Sequence, residues 1–493
     1  MAAGLGDKLK VLASSPHDRE PATCSEVTHE PNEGRWVPSR YNVRATADDG
    51  RLILWNTFRG SLSVFRPEQA PQVLGLLGRQ GITARKEGLV AYLLERGFVL
   101  REGTNEYRQV QVAIHQQQYR TDRLEYILMA SEDCNFRCKY CYEEFARGTM
   151  LPEVREAVKK HTLKSLPRLR SLQVGWFGGE PLYGWDAVAD LAPFFQEVAR
   201  DNDISYSSHM TTNGYLLTPE VASKLLQWDI RKYQITIDGL PESHNCSRPT
   251  RDGEPTFDTI LENLRSLAHR DDSFSVAIRV NFDRENGPHL SRFLEILEKD
   301  FSNDPRFGLM FRAVGRWGGS NDANLAVCGE SEAAQLAQEL SAEAKRRGLQ
   351  IGDIRSVNSL GSQVCYAARP YNFLIGATGK IMKCTISLDT QENNVVGHLS
   401  PDGSMVLDRD KMALWTEPAF ENDTKCQKCV VVPLCQGTHC PLIRIDENVS
   451  PCCGTRSNAK QQLISLLEDG TPARRKIPIT MAIPTREVVA KSN

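Results

Sequence analysis

Fourteen cysteines in 493 residues constrain this chain more than any other feature, because eleven of them fall into two groups. The first is Cys134, Cys138 and Cys141, spaced Cx3Cx2C, and the second spreads over residues 365 to 453. Clustered thiols make either a disulfide framework or a metal framework, and the redox compartment decides between them. The opening MAAGLGDKLKVLASSPHDRE has no apolar run long enough for a signal h-region, and no stretch of 18 apolar residues occurs anywhere. A cytoplasmic chain with no membrane partner is therefore expected. Its thiols stay reduced, which ranks metal binding ahead of disulfides.

Composition removes several function classes. Hydrophobic residues at 40% and charged residues at 25% exclude wholesale disorder and a membrane-embedded architecture. Sixty Lys and Arg against 62 Asp and Glu leave a net charge of −2, which gives no general attraction to nucleic acid or anionic lipid. No nucleic-acid partner is expected. At roughly 100–200 residues per domain the length allows several domains.

Along the chain, residues 1–35 have no apolar period and read as a flexible lead-in. Between residues 36 and 120, YNVRATADDGRLILWNT alternates either side of Asp49-Gly50, a two-residue hairpin signal. PEQAPQVLGLLGRQ and EGLVAYLLERG follow as helices, then FVLRE as a strand, which is the element order of a small winged-helix-like module. Its Lys and Arg are interspersed with acids, so a DNA-binding wing is disfavoured. From residue 121 to 349, strand patterns LEYILMAS, LQVGWFG, ISYSSHMTTN, KYQITIDG, FSVAIRVNF and FGLMFRAVG alternate with helical ones such as PEVASKLLQW and TFDTILENLRSLAHR. The fold class is α/β: six βα steps predict a parallel sheet with helices outside, a partial TIM-like barrel whose ligands sit at the strands' carboxyl ends. Residues 350–455 read as a cysteine-rich, loop-rich domain that needs metal to hold it together. Residues 456–493 are a tail.

Directly after the first of these strands comes SEDCNFRCKYCYEEF, with no fourth cysteine nearby. Three thiolates can hold three irons of a [4Fe-4S] cube and leave the fourth open. The alternative is a zinc site completed elsewhere in the chain. This loop, with Tyr140 just before the third cysteine, resembles the cluster loop of radical S-adenosylmethionine enzymes. Further matches stand at later strand ends: Gly178, Gly179, Glu180 and Pro181 as GGEP; Thr212 and Asn213 within TTNG; and Thr236 opening TIDG. HNCSR then resembles the family's His-Asp-x-x-Arg segment, with Asn245 in the Asp place. The resemblance implies that the GGEP segment meets the cofactor's amino group, for which Glu180 suits an ammonium, and that Arg248 meets its carboxylate. It also implies that a reduced cluster splits S-adenosylmethionine into methionine and a 5′-deoxyadenosyl radical, which abstracts hydrogen from an unactivated C–H bond.

The second group reads Cys365, Gly379, Cys384, then Cys426, Cys429, Cys435 and Cys440 as Cx2Cx5Cx4C, then Cys452-Cys453. It resembles the SPASM extension with two auxiliary [4Fe-4S] clusters, though the last interval of the middle block is four residues where three is usual. Carried over, Cys426, Cys429 and Cys435 with Cys452 or Cys453 hold one cluster, and Cys365, Cys384 and Cys440 the other. A pair of zinc ribbons is the alternative, because Cx2C suits zinc equally. Cys24 and Cys246 read as incidental.

Two functions follow. One is a peptide maturase that cross-links, oxidises or epimerises a residue of a ribosomally made precursor, captured through the N-terminal module as an added strand and supplied with electrons by a flavodoxin- or ferredoxin-type reductant. The other is a cluster-containing sensor or electron-transfer protein without catalysis. Anaerobic sulfatase-maturating enzymes, which make formylglycine, are relatives with an Asp base after the second SPASM cysteine. Here that place is Thr385, which is no base at ordinary pH. No catalytic residue is assigned.

Overall fold

In this computed structural model the described residues are 33–78, 81–145, 147–352, 365–388, 392–437, 440–447, 459, 460, 463 and 464. The chain divides into two units, Met1–Ser39 with Glu68–Thr104, and Arg40–Pro67 with Asn105–Asn493.

All six strands predicted after residue 120 are present: β7 (Arg123–Ser131), β8 (Ser171–Gly178), β9 (Ser205–Thr212), β10 (Ile230–Thr236), β11 (Ser275–Phe282) and β12 (Phe307–Ala313). They lie side by side in chain order and parallel, with the two-residue β13 (Gln350–Ile351) beyond β12. Amphipathic helices fill the crossovers. Helix Leu290–Phe301 buries Leu290, Phe293, Leu294, Leu297 and Phe301, a single stripe at helical spacing. Helix Pro219–Gln227 starts at Thr218, whose side chain accepts from Val221 N at 3.3 Å. This is the α/β partial barrel the sequence predicts.

The loop-rich reading of residues 350–455 needs correction. Strands β14 (Asn372–Ile375), β15 (Lys380–Met382), β16 (Val395–Leu399) and β17 (Met405–Leu407) extend the barrel's own sheet. β14 pairs parallel with β7, and an antiparallel meander follows. The strands are three to five residues long, too short for a periodic pattern to register. At the seam, Tyr126 of β7 is the register partner of Phe373 of β14, and His161 packs edge-on against both rings.

The hairpin is present as β2 (Asn42–Thr46) and β3 (Leu52–Asn56), extended by β4 (Leu62–Phe65), but its turn is longer than the expected two residues: Ala47 N donates to Arg51 O at 2.9 Å, leaving Asp48, Asp49 and Gly50 in the loop. This sheet belongs to the larger unit. Its Val43, Ala45, Ile53 and Trp55 bury themselves against Val431, Leu434, Ala459 and Leu463. The smaller unit is a separate antiparallel sheet, β5 (Ile82–Arg85), β1 (Glu33–Pro38) and β6 (Val99–Arg101) in that order, with helices Ala70–Leu76 and Gly88–Glu95. The predicted 36–120 module is thus distributed over both units. Among the described residues no helix is long and apolar enough to cross a membrane.

Candidate metal and cofactor centre

Strand β7 ends at Ser131 and delivers the chain into the first cysteine loop. Ser131 Oγ accepts from Asp133 N at 3.1 Å, and Asp133 Oδ1 accepts from Cys134 N at 2.8 Å. The loop lies on the end of β8: Gly179 N donates to Ser131 O at 3.0 Å and Glu180 N to Asp133 O at 3.1 Å. A Cβ on Gly178, whose φ is +122°, would stand 2.0 Å from Ser131 O, and one on Gly179 would stand 2.6 Å from Asp133 O. Only glycine tolerates that approach. From the other side Arg137 N donates to Pro249 O at 3.0 Å, Lys139 N to Ser247 O at 2.8 Å and Arg251 N to Asn135 O at 2.7 Å. Backbone from two distant segments therefore fixes the loop that carries Cys134, Cys138 and Cys141.

Glu180 is fully buried at the start of the short turn Pro181–Gly184, and its carboxylate accepts from Leu182 N at 2.9 Å, Thr212 Oγ1 at 2.7 Å and Asn213 N at 2.7 Å. Burial raises its pKa and these bonds oppose the rise. Three of about four acceptor positions are taken, so Glu180 first of all ties the end of β8 to the end of β9. Asn213 in turn donates to Asn135 Oδ1 at 2.7 Å, inside the cysteine loop. Thr236 is 8% exposed and closes β10.

Tyr140 sits in a polar cluster that the sequence reading missed. Its hydroxyl donates to Asp238 Oδ2 and accepts from Arg248 Nη1 at 2.7 Å and from Asn281 Nδ2 at 3.0 Å. Asp238 is part of the TIDG segment, so the motif pointed at it, but its partners come from β11 and a later helix. Asn245 is accounted for: its Oδ1 accepts from Thr256 N and Phe257 N, both at 2.9 Å, and so fixes the start of helix Phe257–Ala268. His244 Nδ1 accepts from Asp238 N at 2.9 Å, and burial holds its pKa well below the ordinary value, keeping it neutral.

The donor set suits a sulfur-bound metal. Burial raises the pKa of Cys134 and Cys138 and pushes Cys141 up to about 12. Such thiols ionise only beside a strong positive charge, which iron provides. Arg248 adds a fixed one. Burial opposes its charge, yet Tyr140, Cys138 and Asp238 hold its pKa well above the usual value, and its buried Nε has no partner among the described residues. An orphaned cationic N–H near Cys138 and Cys141 leaves room for an anionic group.

Cys365, Cys384 and Cys440 also come together. Burial first, then the neighbouring thiols, pushes Cys365 up to about 11, and burial with Cys440 raises Cys384. Asn394 Oδ1 accepts from Cys384 N at 2.7 Å. Cys426 and Cys429 pack elsewhere, against Tyr41, Phe58, Val110, Phe420 and Val432. Cys435 ends helix Val432–Cys435. Cys452 and Cys453 lie outside the described residues. Among the described residues no three His, Cys, Asp or Glu side chains converge on a single ion position. A cube takes each thiolate on a separate iron, farther apart than ligands of one ion.

The two cysteine sets meet through residues that each follow a cysteine. Tyr142 donates to Thr385 O at 3.1 Å, and the Tyr366 hydroxyl shares a hydrogen bond with Thr385 Oγ1 at 2.7 Å.

Residues 129–295, which hold the first loop and its supports, match the Radical SAM superfamily. This segment is a radical SAM domain. Such domains work with a [4Fe-4S] cluster and S-adenosylmethionine. Among curated proteins the chain is 26% identical over 225 residues to the radical SAM cyclopropyl synthase TigE of Paramaledivibacter caminithermalis, covering 40% of this chain and 45% of that one. It is 31% identical over 150 residues to the GTP 3′,8-cyclase of Nostoc punctiforme, covering 29% of this chain and 39% of that one. The chain thus spans less than half the length of either. The solved structure of native anSMEcpe with bound AdoMet and Cp18Cys peptide matches 71% of this chain and 100% of its own, with a TM-score of 0.56 at 18% identity. At that identity the likeness concerns the fold.

Proposed function

We propose that this chain is a radical S-adenosylmethionine enzyme that modifies a residue of a ribosomally made precursor peptide. The observation that carries the reading is the loop of three free cysteines stapled at the carboxyl ends of parallel strands beside the orphaned Nε of Arg248. Cys134, Cys138 and Cys141 would hold a [4Fe-4S] cluster, which together with S-adenosylmethionine supplies reductive formation of a 5′-deoxyadenosyl radical. Gly178, Gly179, Glu180, Pro181, Thr212, Asn213 and Thr236 would line or position the cofactor. Arg248, locked by Tyr140, would take its carboxylate. Covering backbone around the loop would keep water from the reacting centre.

For the rest of the chain, Cys365, Cys384 and Cys440 would hold one auxiliary cluster. Cys426, Cys429 and Cys435 with Cys452 or Cys453 would hold a second, as in a SPASM extension. The peptide reading draws support from anSMEcpe, which has the same barrel and has been solved with Cp18Cys peptide bound. The smaller unit, whose sheet ends in β5 and β6, would capture a leader segment as an added strand. Cross-linking, oxidation and epimerisation all suit this arrangement, with a flavodoxin or ferredoxin as electron source. Formylglycine formation is disfavoured, because the Thr385 hydroxyl is tied to Tyr366 and offers no base.

The test is anaerobic. Holoprotein reduced with dithionite and given S-adenosylmethionine should release 5′-deoxyadenosine, and a Cys138→Ala variant should release none. Failure of the wild type with strong reductant and peptide present leaves only a metal-stabilised scaffold. Iron should approach about 12 per chain, from three cubes of four. A count near four, accompanied by zinc, removes the auxiliary-cluster assignment.

A further inference from the structure

Among the described residues two arginines on neighbouring strands, Arg279 and Arg312, have no carboxylate within ion-pair distance. On β11, Val276, Ile278 and Val280 are buried against the helices, so Arg279 and Asn281 face the barrel interior. Arg279 Nε donates to Asn281 Oδ1 at 2.8 Å, and Asn281 reaches the Tyr140 hydroxyl in the cysteine loop. On β12, Phe307 and Leu309 join the same core, and Arg312 is the register partner of Asn281. Both guanidinium groups therefore belong to the interior face next to the candidate cofactor centre. Arg312 is open to water, yet the surrounding protein lowers its pKa and Arg279 lowers it further.

Elsewhere on the barrel's interior face a charge is answered. Glu125 of β7, 2% exposed, takes Arg369 Nη1 at 2.7 Å and Arg123 as well. Asp238 feels the Arg279 charge, but its carboxylate already holds the Tyr140 hydroxyl and, at 2.9 Å, Asn281 N. Among the described residues neither Arg279 nor Arg312 has an acidic partner within ion-pair distance. Like charges side by side are costly until an anion joins them, and two planar forks match one carboxylate in bidentate fashion.

We propose that Arg279 and Arg312 form a substrate subsite for an acidic side chain, an Asp or Glu of the peptide that the enzyme modifies. The inference rests on the peptide reading above and narrows it, since it predicts an acidic residue at or beside the modified position. Arg312 is then a specificity residue that leaves the cofactor alone.

Saturation-transfer NMR with anaerobic holoprotein tests this without any turnover. The probes are N-acetyl-glutamate N-methylamide and its glutamine counterpart. The wild type should saturate the glutamate probe several-fold more strongly. Arg312→Gln should erase the preference and Arg312→Lys should restore part of it, with S-adenosylmethionine affinity by equilibrium dialysis the same in all three. Equal saturation of the two probes by the wild type, or an undiminished preference in Arg312→Gln, overturns the subsite. A loss of S-adenosylmethionine affinity in Arg312→Gln overturns it too, because the pair then serves the cofactor's carboxylate. None of these readouts depends on 5′-deoxyadenosine release, so the subsite and the radical chemistry can fail separately.

Discussion

The two cysteine regions solve the same problem in opposite ways. In the first, three cysteines sit on one loop, and the fold's work is to pin that loop's backbone with Gly179, Glu180 and residues 247–251. In the second, Cys365, Cys384 and Cys440 arrive from separate segments, before, within and after a meander grown from the barrel's edge strand. Cys429 and its neighbours are covered by a hairpin from nearly 400 residues earlier: Tyr41 and Phe58 pack there, and Trp55 packs on Val431 and Leu434 beside them. A local site fails when its backbone support fails, whereas an assembled site fails when a remote packing contact fails.

The sharpest break is expected at Gly178. A Gly178→Ala side chain would meet Ser131 O at 2.0 Å in a left-handed backbone, costing roughly 4 kcal/mol or more through clash and strain. The first iron site should be lost while iron at the second persists, as read by iron content and by the electron paramagnetic resonance of the remaining clusters. Equal loss at both sites would mean that the two regions do not stand apart as described. Trp55→Ala should do the reverse. Removing that ring from its contact with Val431 and Leu434 costs about 3 kcal/mol, and iron should leave the C-terminal set first, with the first-site signal and S-adenosylmethionine cleavage retained.

The smallest effect lies at the seam that joins the regions. His161 Nδ1 is 2.5 Å from the Tyr126 hydroxyl, and burial lowers its pKa to about 4 from an ordinary 6.5. Between those values the unfolded chain binds a proton that the fold excludes. Stability from this group is complete above about pH 6.5 and is lost as pH falls toward 4, by roughly 2 kcal/mol. A thermal-melt series from pH 7 to 4 should show the decline, and His161→Gln should flatten it. An unchanged slope in the variant would assign the pH dependence to other groups.

Long elements were legible because hydrophobic period and strand length agree: all six barrel strands stand where alternating runs placed them. The short strands β14–β17 were not, since Asn372–Ile375 or Lys380–Met382 offers too few positions for a period to register. GGEP was visible as a motif. That Glu180 spends its carboxylate on Leu182, Thr212 and Asn213 was not, because those partners follow from how β8 and β9 lie together. Asp238 and the Arg279–Arg312 pair were hidden for the same reason, each depending on a neighbour from another strand.

By itself the sequence determined an α/β repeat with a three-cysteine loop after its first strand, because thiol spacing and strand period are properties of adjacent residues. Tertiary structure alone decided which cysteines meet, which charges go unanswered, and that an N-terminal hairpin shields a C-terminal cysteine segment. Those facts rest on contacts between residues far apart in the chain, and such contacts exist only once the sheet has brought its strands together.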